Sequence, residues 1–307
     1  MRFYLVDRIV EMVPRRRIRT VKLVSLLDPI LERHPSAGVV LAPMLALECM
    51  NQSASWMSCI MSDHHWLLVP GVWRRVVASR PAPVGDRLDI EIEVTNWSDD
   101  AVEVNGEASS RGEPVLRAEG GLFFYVDAEE LEDPQLTRRH YRWISGDNSP
   151  LPEAPPAPTP IAGVSVGNPG GYHWVPYDAV DALVPGEMVA ARKSVVLTDD
   201  VFVTHFRRTP IVPGVFLVQS MVDVCRALLE ASPRPGGYWH FEELQGARFR
   251  RRVVPGDLLQ IQARLRGLEG GRALLACEGL VGGEQVVSLR GATFRSESVP
   301  AAGVGDS

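Results

Sequence analysis

The sequence repeats itself once, with a constant interval of 171 residues between equivalent positions. The only two lysines of the chain, Lys22 and Lys193, are separated by this interval, and so are His34 and His205. The other matching pairs are Val13-Pro14 with Val184-Pro185, Asp28 with Asp199, and Gly85-Asp86 with Gly256-Asp257. Because chance matches would scatter to different intervals, and no insertion is needed between positions 13 and 86, the repeat predicts two copies of one fold.

The length of the chain and one proline-rich stretch suggest the domain boundaries. A length of 307 residues suits about two domains. The stretch PLPEAPPAPTP, from Pro150 to Pro160, favours an extended spacer, because proline without periodicity does not build a packed element. We predict a first domain over 1–127, a proline-rich, irregular linker over 128–167, a second domain over 168–297 and a disordered tail over 298–307.

Both copies have the same predicted order of elements. A strand opens each copy, over Phe3–Met12 and Val189–Leu197, and a long apolar helix follows, over Met44–Met61 and Val215–Ala231. Alternating segments that are typical of half-solvated antiparallel strands complete each copy: Leu88–Val94, Leu259–Leu265, Ala273–Leu280 and Val286–Phe294. The predicted fold class is therefore α+β, with one central helix wrapped by an antiparallel sheet, used twice.

Composition and charge argue against several classes of protein. A net charge of −6 is not typical of a nucleic-acid binder, which usually carries a basic balance. The four cysteines lie far apart without a C-x-x-C pair, so they predict neither a zinc site nor a disulfide framework, and we expect them to be buried. No apolar run approaches the ~20 residues of a membrane span, and charged residues interrupt the apolar amino terminus. We expect a soluble, cytoplasmic protein without a membrane partner.

Two strings in the second copy carry a family resemblance. They are HFRRTPIVPGVFLVQSM, from His205, and GARFRRRVVPGD, from Gly246 to Asp257; the first copy matches through RHPSAGVVLAPMLALECMNQSA, from Arg33. The chain resembles the FabZ/FabA family of 3-hydroxyacyl-(acyl carrier protein) dehydratases, which has a histidine in an H-F-P-G-x-P-x-x-P-G-V segment and an acid fourteen residues later in an E-A-M-A-Q helix. The resemblance covers most of both copies and leaves out the linker and the tail.

The resemblance implies a fold and an activity. The family fold is the hotdog, and two hotdogs pair into one continuous sheet, so this chain is expected to be a double hotdog. The implied reaction is the removal of water from a 3-hydroxyacyl thioester on an acyl carrier protein, to give a trans-2-enoyl thioester for fatty-acid or polyketide synthesis. No metal or organic cofactor is expected, because the phosphopantetheine is carried by the partner protein.

The resemblance also implies the catalytic residues, with the histidine of one fold opposite the acid of the other. The first copy supplies Glu48, followed by Gln52, and the second copy supplies His205. Gly214, nine residues after His205, takes the place of the family's glycine whose N–H holds the thioester carbonyl. His205 is then the general base, and Glu48 on an apolar helix is expected to have a raised pKa and to assist departure of the hydroxyl group.

The second crossed pair is unequal to the first. His34 would face Gln219 instead of an acid, and Pro43, which has no N–H, stands at the place of Gly214. HPSAGVVLAP, from His34, also resembles polyketide-synthase dehydratase domains, whose amino-terminal histidine pairs with a later aspartate. Asp223 lies one turn after Gln219, so a second site of His34, Gln219 and Asp223 is possible, but we expect it to be vestigial or repurposed.

A run of arginines follows the second copy's helix. Arg248, Arg250, Arg251 and Arg252 predict either a solvated strand edge or a dock for an acidic carrier protein or its phosphopantetheine phosphate. Arg74, Arg75 and Arg80 are weaker candidates in the first copy. Arg207 and Arg208 replace the family's Pro-Gly beside the histidine, which leaves the shape of the site entrance open. The remaining histidines have no metal-ligand spacing, so no metal site is predicted.

Several alternatives stay open at this point. Within catalysis, the chain could also isomerise the double bond, or hydrate enoyl coenzyme A esters. In a different class, it could be a non-catalytic acyl-binding or scaffold subunit, because the H-F-P-G segment is eroded in both copies. A thioesterase is disfavoured by the spacing of the histidine and the acid. Fusion already supplies a pseudo-dimer, so a monomer is plausible, and higher assembly stays open.

Overall fold

The structure is a computed structural model that describes residues 4–146, 174–203, 205–232 and 237–297. Its strands in chain order are β1 (Arg8–Val13), β2 (Arg17–Leu23), β3 (Leu31–His34), β4 (Gly38–Leu41), β5 (Trp66–Ala78), β6 (Ala82–Pro83), β7 (Arg87–Trp97), β8 (Ala101–Ser110), β9 (Glu113–Asp127), β10 (Ala179–Val184), β11 (Met188–Ser194), β12 (Tyr238–Phe249), β13 (Leu258–Glu269), β14 (Arg272–Val281) and β15 (Glu284–Glu297). The helices are α1 (Pro43–Met61), α2 (Ala128–Leu131), α3 (Pro134–Ile144) and α4 (Gly214–Glu230).

One antiparallel sheet of twelve strands runs through both copies. Its order is β1-β2-β7-β8-β9-β5-β12-β15-β14-β13-β11-β10, and β3, β4 and β6 form a small separate sheet. Equivalent strands of the two copies occur in the same order from either edge of the large sheet, so β5 and β12 meet at a pseudo-two-fold axis. They pair with Val72 opposite Arg248 and Val77 opposite Glu243. Arg75 strengthens this junction, because its Nε donates to Glu243 Oε1 at 2.9 Å.

The two long helices lie on the sheet's buried face. The 19-residue α1 and the 17-residue α4 are apolar over most of their length, and they contact each other as well as the strands of their own copy. Met44, Leu45 and Phe216 are almost completely buried. Burial of one such side chain stabilises the fold by about 1.5–3 kcal/mol, so these contacts anchor both helices to the sheet. The predicted arrangement of a helix wrapped by a sheet, used twice, is confirmed.

The 171-residue interval holds in the structure as well as in the sequence. The bounds of β1, β2 and β8, shifted by that interval, are the bounds of β10, β11 and β14. The repeated residues build equivalent contacts: Lys22 Nζ lies 2.6 Å from Asp28 Oδ1, and Lys193 Nζ lies 3.4 Å from Asp199 Oδ1. Gly85 and Gly256 adopt φ angles of +94° and +96°, which L side chains rarely adopt, so glycine recurs at both turns.

The opening strand of the first copy is shorter than predicted. β1 begins at Arg8, so the prediction of a strand over Phe3–Met12 is wrong for the described residues before Arg8. Leu5 and Val6 are buried in the core, and Leu5 N donates to Gln52 Oε1 at 2.8 Å. The apolar character of this segment therefore reflects packing against α1, not pairing in the sheet. In the second copy the opening strand is β10, so the prediction that Val189–Leu197 opens that copy is wrong. Those residues fall largely in the next strand, β11, which covers Met188–Ser194.

The predicted linker is not irregular throughout. Residues 128–144 contain α2 and α3, so the prediction of irregular structure from residue 128 is wrong there. Each helix is capped by an aspartate, since Asp127 accepts from Glu129 N at 2.8 Å and Asp133 accepts from Gln135 N at 2.9 Å. The rest of the predicted linker, which includes Pro150–Pro160, and the predicted tail over 298–307 lie outside the described residues. The domain boundary itself stays a prediction.

Among the described residues, no helix combines the length and the hydropathy that a membrane crossing requires. All four cysteines are buried and form no disulfide, as their spacing predicts.

Candidate active site

Glu48 lies on the inner side of α1, with 9% of its surface exposed. Asn51 Nδ2 donates to Glu48 Oε2 at 2.9 Å, and Gln52 Nε2 donates to Glu48 Oε1 at 3.1 Å. Residues three and four positions later on a helix share a face, so the helix itself brings these amides to the carboxyl group. Trp73 Nε1 donates to Asn51 Oδ1 at 3.0 Å, and Leu5 N donates to Gln52 Oε1. Both amides are therefore held with their NH₂ groups toward Glu48.

The surroundings of Glu48 favour its neutral form. Burial raises the pKa of Glu48 to about 7, while the hydrogen bonds from Asn51 and Gln52 lower it. Loss of hydration is the larger effect, because two neutral amide donors do not replace the water around a carboxylate. At neutral pH the group is therefore close to half protonated. A carboxylic acid in this condition can donate a proton, as the sequence predicts for Glu48.

His205 lies between a short 3-10 turn, Asp200–Val203, and α4. Its Nδ1 is 2.8 Å from the carbonyl oxygen of Ile211. Since a carbonyl only accepts, Nδ1 carries the proton, and Nε2 of the neutral ring carries the lone pair. Burial lowers the pKa of His205 to about 4, despite the opposing effect of the Ile211 hydrogen bond. The ring is therefore neutral at pH 7 and able to accept a proton at Nε2.

Gly214 is the first residue of α4. The first N–H groups of a helix have no carbonyl partner within that helix, and the helix dipole places partial positive charge there. The Gly214 N–H can therefore stabilise a developing oxyanion. A Cβ at this position would lie 2.9 Å from Phe249 Cε1, so close packing also favours glycine. Pro43 is the first residue of α1 and has no N–H to offer.

Glu48, His205 and Gly214 line one cavity of about 340 Å³. Glu48 comes from the helix of the first copy, whereas His205 and Gly214 come from the second, so the structure brings the predicted crossed set together. The walls are mostly apolar and come from both copies: Tyr4, Trp56, Leu67, Leu68, Phe124, Ile211, Val212, Leu217 and Phe249. The volume is that of a small-molecule site.

The second crossed position is filled by an ion network. Gln219, at the place of Glu48, donates through Nε2 to Glu32 Oε1 at 2.9 Å and to Asp223 Oδ1 at 3.2 Å. Arg226 lies 2.9 Å from Asp223 Oδ1 and 3.2 Å from Glu32 Oε2. Burial raises the pKa of Asp223 above its usual value, and Arg226 opposes this effect. The network ties β3 of the first copy to α4 of the second.

His34 is not part of this network. Its Nδ1 accepts from Ser36 N at 3.3 Å and Ala37 N at 3.2 Å. Within the described part of the chain, no hydrogen bond joins His34 to Gln219 or Asp223. Burial and the nearby His240 lower the pKa of His34. The structure therefore brings Gln219 and Asp223 together but gives no support to Asp223 as a partner of His34.

A three-residue cluster at His34 was not evident from sequence spacing. Potential ligand atoms of His34, His240 and Glu297 all lie within 4.8 Å of one another, and His240 Nε2 is 2.5 Å from Glu297 Oε2. Because Nδ1 of His34 accepts backbone N–H groups, the proton of its neutral ring is on Nε2. A metal ligand needs a lone pair on the coordinating nitrogen, so His34 Nε2, which carries the proton in this arrangement, is not a ligand.

Three of the four predicted docking arginines border the cavity. Arg250, Arg251 and Arg252 line it and are exposed, whereas Arg248 lies in a neighbouring depression with Arg264, Arg266 and Arg290. Arg250 Nη1 donates to Ser288 Oγ at 2.8 Å, and Arg251 lies 3.3 Å from Asp257. Of the weaker candidates, Arg74 lines the same depression as Arg248, Arg75 pairs with Glu243, and Arg80 lies 3.7 Å from Glu113.

The segment after the first copy is the main part of the site that the sequence did not reveal. Leu131, Glu132 and Thr137 of this segment line the cavity. The loop after His205 holds the segment, because Arg208 Nη1 donates to the Glu129 carbonyl at 2.9 Å and Thr209 Oγ1 donates to the Glu130 carbonyl at 2.7 Å. The sequence pattern that could have predicted α3 is Asp133-Pro134, because aspartate followed by proline commonly begins a helix.

Comparison with solved structures identifies the fold. The dehydratase domain of PpsC from Mycobacterium tuberculosis covers 97% of this chain, and this chain covers all of it, with a TM-score of 0.54 and 11% identity. A putative oleoyl thioesterase from Lactobacillus plantarum covers 91% of this chain, which covers 96% of that protein, with a TM-score of 0.57 and 10% identity. At these identities the likeness concerns the fold alone, and it defines the chain as a double hotdog protein.

Sequence comparison identifies the family. A FabA-like domain matches residues 177–290. The chain is 32% identical over 124 residues to the 3-hydroxyacyl-(acyl-carrier-protein) dehydratase FabZ of Teredinibacter turnerae, which is 39% of this chain and 85% of that protein. It is 33% identical over 134 residues to FabZ of Anaplasma marginale, strain Florida, or 40% of this chain and 90% of that protein. The chain therefore belongs to the FabZ-type dehydratase family, which confirms the resemblance found in its motifs.

Proposed function

We propose that this chain is a hydro-lyase that removes water from 3-hydroxyacyl thioesters at one site shared between its two copies. The observation that carries the proposal is the pair His205 and Glu48. The two side chains come from different copies, line the same cavity, and have pKa values that burial shifts in opposite directions. A base that is neutral near pH 7 and an acid that is still partly protonated there are the two groups that this elimination needs.

The groups act in a defined order of bond changes. His205 Nε2 takes a proton from the carbon next to the thioester carbonyl, and the electron pair of that C–H bond moves toward the carbonyl oxygen. The Gly214 N–H stabilises the resulting negative charge. Glu48 then gives its proton to the 3-hydroxyl group, the C–O bond breaks, and water leaves as the C=C bond forms. Transfer of the proton from His205 back to Glu48, through solvent, restores both groups.

The substrate is proposed to arrive on an acyl carrier protein. Arg250, Arg251 and Arg252 are exposed beside the cavity and provide positive charge for a phosphate or an acidic surface. The phosphopantetheine of the carrier would supply the only prosthetic group, so the chain needs no cofactor of its own for these steps. The opposite crossed position has Gln219 in an ion network and Pro43 without an N–H, and we assign it no turnover.

The test is to follow each reaction product with the full-length chain. A 3-hydroxyacyl group would be offered on an acyl carrier protein and, in parallel, on coenzyme A, and the products analysed by mass spectrometry and double-bond position. Formation of the trans-2-enoyl thioester on the carrier protein, lost in His205→Ala, is the expected result. A shifted double bond would indicate an isomerase, and preference for coenzyme A would indicate a hydratase. A free acid, or tight carrier binding without turnover, would contradict the proposal.

A further inference from the structure

The cavity contains a second carboxyl group that the proposed reaction does not use. Glu132 lines the cavity with Glu48 and His205, and only 5% of its surface is exposed. Glu132 follows α2 directly and has an extended backbone, with φ −144° and ψ 163°. The turn is held on both sides, because Glu132 N donates to the Ala128 carbonyl at 2.8 Å and Asp133 caps α3. The backbone of Glu132 therefore has a fixed place in the cavity wall.

The carboxyl group of Glu132 is only partly satisfied. Its Oε1 accepts from Asp133 N at 3.1 Å, and among the described residues no hydrogen bond or ion pair reaches its Oε2. A buried carboxyl oxygen without a donor is costly. This oxygen is not sealed in the protein interior, because it keeps some contact with the cavity space. A ligand in the cavity can therefore reach it.

Thr137 adds a second acceptor to the lining of the same cavity. Its side chain is almost fully buried, with 3% exposure, and it lines the same cavity as Glu132. The hydroxyl of Thr137 donates to the Pro134 carbonyl at 2.8 Å, so its oxygen is left to accept. A carboxyl oxygen and a hydroxyl oxygen that both accept would recognise a ligand group that donates, such as a hydroxyl or an amine.

The exposure of the lining residues indicates which part of a substrate this group would meet. Arg250, Arg251 and Arg252 are exposed and mark the open side of the cavity, where a carrier would dock. Glu132, Thr137 and Trp56 line the same cavity and are buried. With the carrier docked at the exposed arginines and the thioester at Glu48 and His205, we assign the buried lining to the far part of the acyl chain. This assignment rests on the proposed function, since it takes the cavity to hold the acyl group.

We propose that Glu132, supported by Thr137, selects acyl chains that carry a hydrogen-bond donor beyond the reacting carbons. The substrate class is a 3-hydroxyacyl thioester with a further hydroxyl or amino group on its distal part. A plain alkyl chain would leave Glu132 Oε2 without hydration and without a donor. Discrimination of this kind is strong, because a polar site rejects an analogue that leaves its buried groups unpaired.

The test compares matched substrates in the full-length protein. Three 3-hydroxyacyl pantetheine thioesters of equal length would carry a distal hydroxyl, a distal amine or neither, with the polar group placed at successive carbons. We expect kcat/KM of the wild type to favour a donor-bearing chain by roughly ten- to hundred-fold, the effect of a hydrogen bond to a charged group. Glu132→Leu should abolish this preference and leave the plain chain as good or better. The hydroxyl and amine arms identify the donor.

Two variants keep the result interpretable. Glu132→Gln retains an acceptor for Asp133 N and should keep part of the preference for the hydroxyl chain while losing more of that for the amine. Glu130→Gln, an exposed position on the same segment, is the matched control and should change nothing. A wild type without preference, or an equal loss on all chains in Glu132→Leu, would overturn the inference.

The failure of the inference can be separated from that of the proposed function. Calorimetric binding of the corresponding saturated acyl pantetheine amides, with and without the distal donor, measures selection without turnover. If no chain is dehydrated but the donor-bearing amide binds more tightly in a Glu132-dependent way, the proposed function fails and the inference stands. If all chains are dehydrated equally and all amides bind equally, the inference fails and the proposed function stands.

Discussion

Replacement of Glu48 by glutamine should stabilise the protein in a pH-dependent way. Glu48 binds its proton more tightly in the folded protein than in the unfolded chain, because burial raises its pKa from 4.5 to about 7. The stability that it contributes is therefore fully present below pH 4.5 and is lost as the pH rises through about 7. Glutamine carries no charge at any pH, so Glu48→Gln removes this loss.

The size of the effect follows from the two pKa values. Each factor of ten in proton affinity corresponds to about 1.4 kcal/mol, so the rise of the Glu48 pKa from 4.5 to about 7 amounts to about 3 kcal/mol. The side chain is 9% exposed, so solvent screens little of this. In Glu48→Gln the new NH₂ group will face the NH₂ group of Asn51 or Gln52, and two donors cannot form a hydrogen bond. The free-energy cost of this conflict does not vary with pH, so it changes the stability of the variant equally at every pH.

The assay is urea unfolding of wild type and Glu48→Gln at a series of pH values between 4 and 9. We expect the free energy of unfolding of the variant, minus that of the wild type, to rise by about 3 kcal/mol from the acid to the alkaline end. Glu130→Gln, at an exposed position, should show no such rise. A flat difference for Glu48→Gln would show that Glu48 titrates normally, and would refute its assignment as a buried proton donor.

Three further predictions test other parts of the site. The pH profile of kcat/KM should be level between the His205 pKa of about 4 and the Glu48 pKa of about 7, because the reaction needs neutral His205 and protonated Glu48. Above pH 7, kcat/KM should fall tenfold per pH unit. Steady-state values of kcat/KM that stay level to pH ~9 would contradict this. Gly214→Pro removes the N–H that Gly214→Ala retains, and both variants place a Cβ against Phe249, so Gly214→Pro should be about 10²–10³-fold slower than Gly214→Ala; equal rates would contradict an oxyanion role. Arg226→Leu leaves Glu32 and Asp223 without a positive partner and should destabilise the fold by about 3–5 kcal/mol while kcat at permissive temperature is unchanged. Loss of kcat without loss of stability would place the network in the reaction.

The repeat and the motif made most of the architecture predictable. Because equivalent positions are always 171 residues apart, an element found in one copy predicts the position of its equivalent in the other. The helices and most alternating strands therefore lie where the sequence predicts. Periodicity could not separate Leu5 and Val6 from a strand, because residues that pack on a helix and residues that pair in a sheet can both be apolar. The distinction depends on Gln52, which satisfies Leu5 N across the fold.

The sequence predicted the reacting groups of the crossed site but not the residues that hold them in place. Glu48, His205 and Gly214 follow from spacing within one helix and its preceding loop, which is local information. Trp73 orients Asn51, and Thr209 holds the carbonyl of Glu130; both contacts join distant segments, and no local pattern encodes them. The ion network of Glu32, Asp223 and Arg226 was missed for the same reason, since Glu32 comes from the other copy.

The central claim is one active site, formed by His205 of the second copy and Glu48 of the first. Its most direct test is kcat/KM of a 3-hydroxyacyl carrier-protein substrate for His205→Ala, Glu48→Gln, the double variant and His34→Ala. We expect each of the first two to lose at least 10²–10⁴-fold, the double variant to lose little more, because groups that act together are not additive, and His34→Ala to retain full activity. Half of the activity remaining in His205→Ala, together with half lost in His34→Ala, would contradict a single site.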